Sequence, residues 1–136
     1  MNAQNEVHPA LTKNQNLVLG ALSDAEGPLS AYAILDQLRG EGFRAPLQVY
    51  RALDKLVEFG MVHRLESLNA FVACQHPQCE THESMVFTIC DKCGAVGEIA
   101  DEQLARQLRE VARETGFDLR RSTVELRGYC RTCTRS

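Results

Sequence analysis

Pro46-Leu47-Gln48-Val49-Tyr50-Arg51-Ala52-Leu53-Asp54-Lys55-Leu56-Val57-Glu58-Phe59-Gly60 reads as one helix with a marked start, a buried stripe and a marked stop. Proline suits a helix's first turn, where its missing N–H has no partner to lose, and glycine ends helices by taking left-handed backbone. Val49, Leu53, Leu56 and Val57 recur at steps of three and four, so they share one side. Gln48, Arg51 and Lys55 occupy the opposite side at the same spacing. Residues 61–65 and 70–74 follow as two strand-like runs around Glu66-Ser67-Leu68-Asn69, the pattern of a hairpin with a four-residue loop.

Two more helices precede this one. Thr12 with Gln15 three residues on is a capping box, opening a helix over 13 to about 23 with Val18, Ala21 and Leu22 on one side. Asp24-Ala25-Glu26-Gly27-Pro28 is turn chemistry, and Ser30 then caps a second helix that turns Ile34, Leu35 and Leu38 inward. Three helices and a hairpin over residues 1–74 make a winged helix-turn-helix, whose third helix enters a DNA major groove. There Arg51 could bridge O6 and N7 of a guanine, and Gln48 could pair with an adenine. The plainer reading of such a face is solvated helix surface. Local charge does not decide between them, because the residues up to Ala73 hold six basic against eight acidic side chains. A net charge of −3 over the whole chain excludes a strongly basic coat.

At 136 residues the chain fits one ordinary domain or two small ones. Apolar runs such as Leu17-Val18-Leu19 are too short to cross a bilayer, and the first residues carry no basic or apolar leader. The expected compartment is the cytoplasm. Cysteines in a reducing compartment serve metals or redox chemistry more often than disulfides. Here all six lie at or beyond Cys74, which sets a boundary there, with a linker over 75–83 and a second domain over 84–136.

In that second domain, residues 84–89 and 95–99 read as a strand and its return around Cys90-Asp91-Lys92-Cys93-Gly94. Asp101 opens a helix with an apolar stripe of Leu104, Leu108, Val111 and Ala112, stopped by Gly116. Residues 123–126 form a third strand that runs into Cys130-Arg131-Thr132-Cys133. Two C-x-x-C pairs offer four thiolates to one tetrahedral, closed, structural zinc. Thioredoxin-like chemistry would need its pair opening a helix, whereas Gly94 turns this chain back as a strand. A zinc deaminase would show H-x-E and then P-C-x-x-C, but His82 and Glu83 are adjacent and Ile89 precedes Cys90. The expected class is therefore α+β: an N-terminal winged helix-turn-helix followed by a small α/β domain with a four-Cys zinc site.

More potential ligands gather near the hairpin. If Leu65 pairs with Ala70, His63 pairs with Val72, and Cys74 shares the face of both. His76, Cys79 and His82 follow in the linker. A lone His is usually a surface residue and a lone Cys a small buried hydrophobe. Five candidates around one junction instead suggest a second metal.

These stretches resemble the ferric uptake regulator family of metal-sensing transcription factors, and within it the zinc uptake branch. The resemblance rests on Leu11-Thr12, Ser30-Ala31-Tyr32, Val49-Tyr50-Arg51-Ala52-Leu53, Glu66-Ser67-Leu68-Asn69-Ala70-Phe71-Val72 and Ile89-Cys90-Asp91-Lys92-Cys93-Gly94, in that order, followed by the second C-x-x-C. It implies a homodimer formed through the second domain, operator DNA as partner, and structural zinc on Cys90, Cys93, Cys130 and Cys133. It implies a sensory zinc on His63, Cys74, His82 and Glu98, with His76 or Cys79 able to replace His82 or Glu98. DNA contacts fall to Tyr32, Gln48, Tyr50, Arg51 and Lys55. Where the family commonly has Thr two residues before the reading-helix Tyr, this chain has Gln48, so no operator sequence carries over. A thiolate in the sensory site favours zinc over iron or manganese. The function implied is zinc-responsive repression of zinc-uptake genes. The alternatives are an iron, manganese or peroxide sensor of the same family, or, in a different class, a zinc-dependent or thiol redox enzyme.

Overall fold

A computed structural model describes residues 10–74 and 84–134. The candidate linker ligands His76, Cys79 and His82 lie outside the described residues. The chain divides into two compact units, Met1–Cys74 and Gln75–Ser136.

The first unit holds helices α1 (Lys13–Asp24), α2 (Ala31–Leu38) and α3 (Pro46–Glu58), then strands β1 (Val62–Leu65) and β2 (Ala70–Ala73). The starts of α1 and α2 follow from side-chain oxygens: Thr12 accepts from the Gln15 N–H and Ser30 from the Ala33 N–H, both at 3.1 Å. Gln15 completes the box by accepting from the Thr12 N–H at 3.0 Å. Helix α3 stops in a Schellman turn, with Met61 N–H donating to Leu56 and Gly60 N–H to Val57, and Gly60 at φ 79°. Ile34, Phe43, Val49, Leu53, Leu56 and Val62 are fully buried between the helices and the hairpin. The hairpin register is the expected one, Leu65 opposite Ala70 and His63 opposite Val72. Leu29 adds a short third rung, exchanging both backbone hydrogen bonds with Phe71 at 3.0 and 2.8 Å. That rung ties the start of α2 to the wing. It escapes a periodicity reading because one residue has no period.

The second unit is a three-stranded sheet in the order β4-β3-β5. Strand β3 (Ser84–Cys90) pairs antiparallel with β4 (Val96–Ile99) and parallel with β5 (Ser122–Gly128). Parallel neighbours need a crossover, which α4 (Glu102–Glu114) supplies. Asp101 caps α4 through the Leu104 N–H at 3.1 Å, and Gly116 at φ 73° follows its end. The last strand runs longer than its β-branched centre suggests, because β3 pairs it from Ser122 to Gly128. A short helix, α5 (Arg131–Thr134), follows it. The apolar stripe of α4 is not buried along its whole length. Ala105 and Ala112 are buried, but Val111 is 57% exposed on the chain taken alone. Among the described residues, no helix is long and apolar enough to cross a membrane.

Candidate metal centre and nucleic-acid interface

Because β3 and β5 run parallel, both finish at the same end of the sheet, and each delivers a C-x-x-C pair there. Cys90 is the last residue of β3 and Cys93 follows in its turn, while Cys130 leads into α5, which carries Cys133. The four sulfur atoms lie within 4.8 Å of one another, and Cys93 and Cys130 are 3.8 Å apart. A tetrahedron of thiolates at about 2.3 Å from zinc has edges of about 3.8 Å. All four cysteines are free thiols, and Cys90 is buried.

Backbone groups already favour the anions. The N–H groups of Cys93 and Cys130 both donate to the Cys90 sulfur at 3.4 Å. Those donors, Cys93 first, lower the Cys90 pKa to about 6 against the desolvation of burial. Cys130 is likewise lowered, first by the Cys133 backbone N–H. Cys133 is pushed up to about 12, chiefly because its thiol hydrogen-bonds the Cys130 sulfur. Four thiolates cannot share such a volume without a cation among them. The donor set fits zinc, held by four protein ligands with no open position for a substrate.

A clamp that the sequence reading missed holds this knuckle in shape. Arg127 donates from Nε and one Nη to a single Asp91 oxygen, at 2.9 and 2.6 Å, and Asp91 N–H donates to Gly128 at 2.7 Å. Asp91 sits between the ligands Cys90 and Cys93, so the clamp ties their turn to β5. An Asp inside C-x-x-C is a visible signal, but its partner 36 residues away is not.

In the first unit, the half-buried His63 of β1 and Cys74, just past β2, bring their ligand atoms within 4.8 Å of each other. This follows from the register, together with the Cys74 N–H donating to Met61 at 2.9 Å. Cys74 is disulfide-bonded in this structure, so it can ligate a metal only after reduction to the thiolate. Glu98 lies half-buried on β4, opposite Phe87 of β3.

The candidate DNA-contacting residues differ in what they offer. Arg51 is exposed on the outer face of α3. Lys55 is exposed on the same helix and paired with Glu58 at 3.5 Å. Tyr32 is 62% exposed at the start of α2, whereas Tyr50 packs half-buried against the core. Gln48 departs most from its expected role. Ala45, the residue before α3, has no side chain that can cap, and Gln48 does the work by accepting from the Arg44 and Ala45 N–H groups at 2.7 and 3.1 Å. A bidentate pair with adenine needs that same oxygen, so it is unavailable while the cap holds.

Residues 9–127 match the Ferric uptake regulator family. The chain is 43% identical over 124 residues to the zinc uptake regulation protein of Escherichia coli (strain K12), covering 90% of this chain and 72% of that protein. It superposes on the crystal structure of holo XcZur with a TM-score of 0.86 at 42% identity, covering 97% of this chain and 92% of the other. On a zinc uptake regulator complexed with zinc and DNA the TM-score is 0.85 at 40% identity, covering 98% and 87%. The family match starts before α1 and runs into β5, leaving neither unit outside it: the chain belongs to the ferric uptake regulator family.

Proposed function

We propose that this protein is a zinc-responsive transcriptional repressor of zinc-uptake genes, working in the cytoplasm as a homodimer on operator DNA. The observation that carries this reading is the 40% identity and near-complete overlap with a regulator solved with zinc and DNA. The first unit is the DNA reader and the second the dimerisation domain. Structural zinc on Cys90, Cys93, Cys130 and Cys133 is supported by the spacing of the four sulfurs. Sensory zinc is assigned to His63, Cys74, His82 and Glu98, supported by the proximity of His63 and Cys74 and by the preference of a thiolate for zinc over manganese. DNA contacts are assigned to Arg51, Lys55 and Tyr32, with Gln48 and Tyr50 shaping the helix that carries them. The protein is not an enzyme on this reading, since a four-thiolate zinc is coordinatively filled.

The mechanism is linkage. A ligand that binds the DNA-competent form better than the other raises DNA affinity by the same factor, typically worth about 1–3 kcal/mol. Anisotropy on a duplex selected from random DNA by the zinc-loaded protein tests this across buffered free zinc, iron and manganese. Binding that rises with zinc alone supports the proposal. Binding that rises with iron or manganese instead would move the protein to another branch of its family, and metal binding with no DNA binding would leave a zinc buffer.

A further inference from the structure

We infer that Leu47 reads DNA, as an apolar contact for the C5-methyl group of a thymine in the operator. Leu47 is the second residue of α3 and is 57% exposed, outside the cluster that forms the first unit's core. At about 100° per residue, Leu47, Arg51, Asp54 and Glu58 fall within about 60° of one another. That places Leu47 in the middle of the face opposite the buried Val49, Leu53 and Leu56. Packing therefore gives no reason for a large apolar side chain at this position.

The N-terminal turn of a reading helix is the part that meets base edges. Two side chains in that turn could specify a base, and one is committed elsewhere, because the Gln48 amide oxygen caps its own helix. Leu47 remains. In the major groove thymine alone among the four bases displays a methyl, and contact with an apolar side chain is how it is read. Arg51 stands one turn further along the same face, suited to guanine. The pair predicts a thymine close to the guanine that Arg51 reads.

The inference rests on the repressor reading, and the test separates the two. Zinc-loaded parent and Leu47→Ala proteins are each used to select duplexes from a random pool. The variant is expected to melt with the parent, since the position is exposed and alanine favours helix. The parent motif is expected to contain a thymine that the variant's motif lacks. Replacing that dT by dU removes only the methyl, and should weaken parent binding about fourfold, as expected for one buried methyl group. Leu47→Ala should not distinguish dT from dU, and Leu47→Met should regain the preference. If the parent is indifferent to dU, or if Leu47→Ala keeps the same thymine, Leu47 is not a reader and the repressor reading stands. If neither protein enriches any motif with zinc, the repressor reading falls and the inference with it.

Discussion

Cys90 accepts two backbone N–H groups while Cys133 donates to a neighbouring sulfur, so these two thiols of one site ionise far apart. At neutral pH Cys90, with its pKa lowered to about 6, is a thiolate, and Cys133, pushed up to about 12, holds its proton. On the metal-free fold the two act oppositely. The lowered Cys90 stabilises above the ordinary thiol range and loses that effect as pH falls through about 6, whereas Cys133 destabilises as pH rises past the ordinary value. Zinc loading at pH 7 expels the Cys133 proton, and below about 6 it must expel one from Cys90 as well. Chelator competition should show zinc affinity falling with acid, steepening by one proton as pH passes through that value. Cys93→Ser should abolish this tight zinc and unfold the second unit, seen as lost zinc content and lost cooperative melting. The Cys74 prediction concerns redox state: reduced protein should take up two zinc ions per chain by mass spectrometry, and oxidised protein one. Cys74→Ser should hold one under both conditions. Arg51→Ala should weaken operator binding by about 1–3 kcal/mol and relax preference at one base position.

At the scale of elements, Gln48 shows how a helix end can be misread. Gln48→Ala should lower stability by about 1 kcal/mol through loss of the cap, while Gln48→Glu should keep it, as thermal melts would show. The signal was present in the chain, since Gln stands three residues after Ala45, the spacing of a capping box. It was obscured because alanine is a poor cap and the outward side of α3 also suits base contacts. Helices α1, α2 and α3 and the β1–β2 register were legible because their apolar periods and caps agree. The four-Cys site was legible from spacing alone. The Leu29–Phe71 rung and the Asp91–Arg127 clamp were not, because each joins distant residues by a contact that leaves no local pattern. Val111 differs from these, since an apolar stripe on a helix says that it is covered, not by which chain.

For the molecule as a whole, the exposed Ile99, Val111, Phe117, Leu126 and Tyr129 all belong to the second unit. Tyr32, Leu47 and Leu68 of the first unit are exposed too, and the larger share in the second unit makes it the candidate association face. Val111→Asp should give a monomer in sedimentation at micromolar concentration, with the fold and the tight zinc retained. A variant that stayed dimeric would place the interface elsewhere. The order of the strands adds a consequence in time. Cys130 follows Cys90 by 40 residues, because the whole crossover between parallel strands intervenes. On a ribosome adding about 5–20 residues per second, the first pair of thiols waits about 2–8 seconds for the second. Until then the site holds two sulfurs, half of the tetrahedral set that zinc requires. The four-thiolate site can therefore close only once β5 and the turn after it have been made, so its zinc is a late addition to the fold.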